Sequence, residues 1–258
     1  MTVDAALLEP GGTFRVFACD VDGCLAAAGH ADYDLAAFTR LAKLNRASEH
    51  DETVPALTLL TGRPHAYVDA LSQALAIRLP MSFENGVGLA TRRPYRFWLD
   101  ARAEAGLPAL RGFAAAVEEA PHLMLQPGKL GSLSVFPRPA GRDVADQADE
   151  LASLTVRLEL DLAIDPSTDC VNVLVPGVDK ASGFAGLCEA LELEPEEVAG
   201  VGDSVGDAPW LAACGVSFAP ANAVPDVKAV VTSVSALPDA AAVVEAYEAL
   251  VAANRRAA

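Results

Sequence analysis

The feature that most limits what this chain can become is a repeated junction. A short apolar run stops abruptly at a polar residue, and a helical pattern follows. Residues 14–19 run into Asp20, and residues 56–60 run into Thr61, Gly62 and Arg63. Short apolar runs bounded by turn residues read as strands buried on both faces. Between these two runs, Leu35, Phe38, Leu41 and Leu44 recur every three residues within 33–46, which predicts a helix. Pro64 opens the next helix, where its missing N–H costs least. The rhythm returns late in the chain. It predicts a helix over 181–192, a strand over 198–202 running to Asp203, a helix over 207–213 and a strand over 216–218. A last helix runs from Pro238 to about Ala253, with Val243, Val244, Tyr247, Leu250 and Val251 on one face. This alternation builds an α/β core, a Rossmann-like parallel sheet with helices on both faces.

The middle of the chain follows a different rule. Val171, Val173 and Val175 alternate with Cys170, Asn172 and Leu174, and Leu133 and Val135 alternate with Ser132 and Ser134. Such strands bury one face only. Helical patterns fit near 107–119 and 142–153. The expected organisation is a core of 1–84 and 178–258 with an inserted α+β cap at 85–177, which would select the substrate.

Composition bounds the chemistry. The 258 residues are 52% hydrophobic and 21% charged, enough apolar content for a sizeable core and too much for disorder. Lys and Arg number 19 against 35 Asp and Glu, a formal net charge of -16. That charge disfavours nucleic acid as a partner, and it obliges any site for a phosphorylated ligand to supply local cations or a metal. The apolar runs are too short for a membrane span, and the first residues lack a basic, apolar leader, so a cytoplasmic location is expected. Cys19, Cys24, Cys170, Cys188 and Cys214 show no paired spacing and read as buried free thiols. His30, His50, His65 and His122 are scattered, with no two at ligand spacing.

Four stretches carry the candidate chemistry. Asp20 and Asp22, in Asp20-Val21-Asp22-Gly23, put two carboxylates just past a buried strand, where parallel sheets bind ligands. Thr61-Gly62-Arg63 offers a hydroxyl and an exposed N–H to an anion. Lys180 opens a helix, against the helix dipole, and could be a fixed cation. Gly202-Asp203 ends another buried strand, and Asp207 follows four residues on. Carboxylate oxygens suit a hard cation such as Mg²⁺. Each stretch also has an ordinary reading: an Asx turn, a strand-to-helix turn, a solvated lysine, and an N-cap for Asp207.

Taken in order, Asp20–Gly23, Thr61–Arg63, Lys180 and Gly202–Asp207 resemble the haloacid dehalogenase superfamily of phosphohydrolases. The insertion resembles the larger cap of its Cof-like, archaeal phosphoglycolate phosphatase-like and sucrose phosphatase-like members. Phe83 to Gly86 resembles the stretch leading into that cap, and Pro220 to Ala223 with Val227-Lys228 resembles the closing segment. Cys24, Gly206 and Trp210 depart from the usual Thr, Asn and Met. The resemblance implies a Mg²⁺-dependent phosphatase that hydrolyses a small organic phosphate, such as a sugar phosphate or phosphoglycolate, through an aspartyl-phosphate. It implies that Asp20 is the nucleophile and Asp22 the general acid and base, with Thr61 and Lys180 holding phosphoryl oxygens. It implies Mg²⁺ at Asp20, the Asp22 carbonyl and Asp203, with Asp207 at the metal site or orienting Lys180. Substrate contacts are expected at Gly62, Arg63, Glu84, Asn85 and Lys129, with Arg92, Arg93, Arg96, Arg138 and Arg142 as further cap candidates. The presence of Asp22 argues against dehalogenase chemistry. The alternatives are a sugar phosphomutase and a non-catalytic phosphate-binding protein on the same fold.

Overall fold

A computed structural model describes residues 13–27, 32–138 and 143–258. His30 and Arg142 lie outside the described residues. The core sheet contains β1 (Val16–Cys19), β2 (Ala56–Leu59), β10 (Val198–Val201), β11 (Val216–Ala219) and β12 (Ser233–Val234) in the order β12-β11-β10-β1-β2. All its pairings are parallel. Its two faces bury separate apolar clusters. On one, α1 (Leu35–Ala47) and α8 (Asp239–Ala257) pack Phe38, Leu41, Tyr247 and Leu250 against Phe17 and Leu57. On the other, α5 (Lys180–Leu191) and α6 (Ala208–Ala213) pack Phe184, Trp210 and Leu211 against Val16 and Ala18. Helices on both faces explain why the strands are continuous apolar runs. The expected parallel α/β core is what the chain forms.

Register sets the site. Cys19 pairs with Val201 on one side and with Leu59 on the other. The ladder then continues by one bond each way: Asp20 N–H donates to Val201 at 3.0 Å and Leu60 N–H donates to Cys19 at 3.0 Å. The residues that follow β1, β2 and β10 therefore leave the sheet together, at the carboxyl end where such sheets bind ligands.

The middle segment contains α3 (Ala101–Glu118), α4 (Val144–Arg157) and an antiparallel sheet. That sheet is β6 (Leu123–Leu125), β7 (Leu133–Pro137), β9 (Val171–Leu174) and β8 (Ala163–Pro166), in the order β6-β7-β9-β8. Phe113, Val117, Leu151 and Leu154 cover Val135, Val171 and Val173. The intervening Ser134 and Asn172 hydrogen bond to each other at 2.7 Å. The alternation read from the sequence thus corresponds to a one-sided sheet.

Three features differ from the sequence reading. Helix α3 starts at Ala101 rather than 107, because Asp100 caps it by accepting Arg102 N–H at 2.8 Å; Pro108 lies inside the helix. Helix α8 runs four residues past Ala253. A third sheet, β3 (Met81–Phe83), β4 (Gly88–Arg92) and β5 (Tyr95–Leu99), has no counterpart among the expected strands. Its hairpin, drawn from residues expected to begin the cap, pairs with β3, and its β4 packs on α5 and on α2 (His65–Ala74). Among the described residues no helix is long and apolar enough to cross a membrane.

Asn45 ties this core together. Its buried amide donates to Leu75 and Ala76 carbonyls, both at 3.0 Å, and accepts Leu57 N–H at 2.9 Å. Asn45→Ala leaves a strand N–H and two carbonyls unpaired, and urea unfolding is expected to show a loss of about 3 kcal/mol with an unchanged m-value.

Candidate functional site

The chain leaves β1 through a tight turn in which Gly23 and Ala26 N–H groups bond Ala26 and Val21 carbonyls. Gly23 has φ +75°, and a Cβ there would lie 2.1 Å from Asp203 Oδ2. Only glycine lets the turn and the end of β10 approach this closely. The turn leaves Asp20 buried and Asp22 exposed. Asn222, from the segment after β11, donates to the Gly23 carbonyl at 2.8 Å and holds the turn from the far side.

Lys180 is the first residue of α5, where Asp179 and Ser182 form a capping box. Its buried ammonium lies 2.9 Å from Asp20 Oδ2 and 2.7 Å from Asp207 Oδ1. Burial alone pulls its pKa down, but the two carboxylates outweigh this and raise it well above the ordinary lysine value. The unfavourable dipole position is thereby explained: the cation serves the strand ends, not the helix. Asp20 is pushed well up by burial and by Asp207, against the pull of Lys180. Burial and Asp207 likewise push Asp203 up to about 7.

Asp207 does not cap the helix that follows it. Its Oδ1 accepts Lys180 and, at 2.9 Å, Trp210 Nε1. Its Oδ2 accepts Ser204 Oγ at 2.6 Å, Ser204 N–H at 3.0 Å and Asp203 N–H at 3.3 Å. Five donors hold the charged form despite full burial. The N-cap reading of Asp207 is therefore overturned by geometry, and the orienting role toward Lys180 matches its contacts. Ser204 and Trp210 were not among the expected site residues; Trp210, three residues on, returns to the same helical face, and that spacing was the available signal.

One oxygen from each of Asp20, Asp203 and Asp207 lies within 4.8 Å of the others. Asp203 Oδ1 is buried and has no hydrogen-bond partner. An orphaned buried carboxylate oxygen is costly unless something cationic meets it. Among the described residues, Lys180 and Arg63 are the cations paired with Asp20, Asp22, Asp203 and Asp207, so the four carboxylates outnumber their ion-paired cations by two. The oxygen donors and the charge both fit a divalent hard cation such as Mg²⁺.

Thr61 is buried, and its Oγ accepts Arg63 N–H at 3.2 Å, so its own proton is available. The expected substrate contacts divide. Arg63 forks onto Asp22, with Nε to Oδ2 at 2.7 Å and Nη2 to Oδ1 at 2.5 Å, and lies 4.7 Å over the Tyr67 ring. Lys129 is brought in as the sequence suggested, its ammonium donating to the Gly62 carbonyl at 2.6 Å, and burial lowers its pKa. Asn85 lies against Gly62, where a Cβ would meet its Oδ1 at 2.8 Å. Glu84 is different. Its buried carboxylate accepts N–H groups of Leu130, Gly131 and Ser132 and the Ser132 hydroxyl, at 2.8 to 3.1 Å. Both oxygens are taken, so Glu84 anchors the loop that carries Lys129 rather than facing a ligand. Arg92, Arg93 and Arg96 belong to the β4–β5 hairpin and its turn, and Arg138 follows β7.

Residues 144–246 match the family of haloacid dehalogenase-like hydrolases. The family match takes in Lys180 and the Gly202–Asp207 stretch. A 53-residue stretch is 45% identical to a phosphoglycolate phosphatase of Methanopyrus kandleri, covering 20% of this chain and 23% of that protein. The chain thus aligns with less than a quarter of that curated relative. A Thermoplasma acidophilum structure (0175) superposes with a TM-score of 0.74 at 21% identity, over 93% of this chain and 99% of that one. A haloacid dehalogenase-like hydrolase from Bacteroides thetaiotaomicron gives 0.70 at 17% identity, over 92% and 99%. At such identities these two show the fold, and the fold is the one the motifs imply.

Glu84→Ala strips the 130–132 loop of its acceptor. Hydrogen exchange at Leu130, Gly131 and Ser132 is expected to quicken about tenfold or more, while amides of β1 and β10 keep their protection.

Proposed function

From a chain with the haloacid dehalogenase-like fold, whose residues 144–246 match that family of hydrolases, we propose a divalent-metal-dependent phosphatase acting on a small phosphate monoester. The observation that carries this reading is the buried Lys180 held between Asp20 and Asp207, beside an Asp203 oxygen without a partner. Such a cluster approaches balance when a divalent cation joins it, and the cation also offsets the charge of an incoming phosphoryl group.

Asp20, at the end of β1, attacks phosphorus. The bond from phosphorus to the leaving oxygen breaks, and an aspartyl-phosphate forms. Asp22 supplies the proton that the leaving oxygen takes up, then removes one from the water that attacks the aspartyl-phosphate. The second attack releases inorganic phosphate and restores Asp20. Lys180 and the Thr61 hydroxyl hold the phosphoryl oxygens as charge builds on them. Asp207 keeps Lys180 in place through its own five hydrogen bonds. Asp20, Asp203 and the Asp22 carbonyl would hold the cation. When bound, Mg²⁺ supplies charge that offsets the repulsion between Asp20 and an anionic substrate.

The inserted segment at 85–177 is the substrate-selecting cap in this reading. Lys129, half-buried and hydrogen-bonded to Gly62, is a cap residue that reaches the motif residues. The resemblance over 53 residues to a phosphoglycolate phosphatase supports phosphoglycolate or a sugar phosphate as the first esters to try. A cytoplasmic location accompanies this proposal.

Phosphate release from a panel of phosphate monoesters tests the reading. The wild type is expected to release phosphate with Mg²⁺ and to stop in EDTA. Asp20→Asn is expected to lower kcat about a thousandfold or more, and Thr61→Val about a hundredfold. No release from any ester by folded protein that binds Mg²⁺ would move the assignment to phosphotransfer or to a non-catalytic phosphate-binding role.

A further inference from the structure

Strand β5 is an edge. It pairs with β4 on one side, and among the described residues nothing follows it in the sheet order β3-β4-β5. Tyr95, Phe97 and Trp98 are 60%, 48% and 42% exposed, so three large rings stand on one free strand. Edges of this kind are normally blunted by charge, bulges or a covering element, and here Arg96 is the strand's sole charged residue. The rings are not loosely held. His65 stacks 5.9 Å from Tyr95 and 5.1 Å from Phe97, and Trp98 walls a groove of about 500 Å³ against α5. A pre-ordered aromatic edge loses little entropy on pairing.

We propose that β5 is a homodimer interface, pairing antiparallel with β5 of a second copy about a two-fold axis through Phe97. The argument for a second copy is the strand's self-complementarity in that register. With Phe97 opposite its own copy, Tyr95 falls opposite Leu99, and Arg96 falls opposite Trp98. Phe97, Tyr95 and Leu99 share one face and make an apolar row. Arg96 and Trp98 share the other face and make two symmetric cation–π pairs. Charge runs the same way. Arg92, Arg93 and Arg96 lie at the start of the strand; Asp100 and Glu104 lie at its end, with Arg102 on Asp100, and Glu189 lines the adjoining groove. Antiparallel pairing sets each basic start beside the partner's acidic end. The arrangement closes as an isologous dimer in which neither β5 edge is left unpaired. It uses none of the residues that hold the phosphoryl group or the cation in the reading above, and it stands independently of that reading.

Because position 97 faces itself, the register has a specific test by sedimentation equilibrium and tryptophan fluorescence. Wild type is expected to be a dimer at micromolar concentration. Dilution should red-shift its emission through Trp98, because the chain's second tryptophan, Trp210, is buried. Phe97→Lys and Phe97→Asp are each expected to be monomeric, and mixing the two in equal amounts should restore the dimer mass. Arg96→Glu, at an exposed position, should raise the dimer Kd about tenfold. The mixing arm also shows that both variants are folded. A wild type that stays monomeric up to millimolar concentration overturns the proposal. So does a dimer that survives both substitutions at position 97, or a mixture that stays monomeric. Phosphatase activity per chain is expected to be unchanged in both variants at position 97.

Discussion

A lysine buried between two carboxylates organises this molecule. Lys180 comes from the start of α5, Asp20 from the end of β1, and Asp207 from the segment after β10, so one ammonium joins three elements. Burying a charge is costly, and the cost is met only when geometry and further hydrogen bonds complete the cluster. Here they do so outward from the site. Asp207 gathers Ser204, the Asp203 N–H and Trp210, and the Trp210 ring belongs to the apolar cluster between the sheet and α5. The electrostatics of the site and the packing of one face of the core are thus a single structure. Removing any one charge would strand the others in a low-dielectric interior.

A second cluster links that core to the inserted segment. Glu84, Asn85 and Gly86 all have left-handed backbone, with φ of +52°, +56° and +89°. The bend brings Gly86 so close to α5 that a Cβ would lie 2.2 Å from the Asp179 carbonyl, beside the helix start that presents Lys180. Asn85 N–H bonds the Thr61 carbonyl, and the Glu84 carboxylate collects the 130–132 loop. One strained turn therefore touches the hydroxyl-bearing strand end, the lysine-bearing helix and the loop that carries Lys129. Strain of this kind persists where surrounding contacts over-determine it.

Much of this was legible in the sequence, for identifiable reasons. Runs such as 14–19 and 56–60 must be buried on both faces, and only a parallel sheet covered by helices does that for several runs at once. Once those strands are parallel, their carboxyl ends lie on one side, and Asp20, Thr61 and Asp203 converge. The β3–β5 sheet was not legible. Its first strand has three residues, and Gly88 and Ala90 weaken the alternation in the second. The helix expected near 107 begins six residues earlier, where the side chain of Asp100 caps it.

The chain's amino-acid order alone determined the fold class, the one-sided inserted sheet and the positions of Asp20, Thr61 and Asp203 at the strand ends, because these follow from local periodicity and from where an apolar run must end. Tertiary structure decided what each charged group is for. Glu84 and Arg63 look like ligand contacts in one dimension, yet one holds a loop through four donors and the other forks onto Asp22. A charged side chain's role depends on which opposite charge or orphaned N–H reaches it first. Those partners lie 41 to 48 residues away in the chain, where no spacing rule extends.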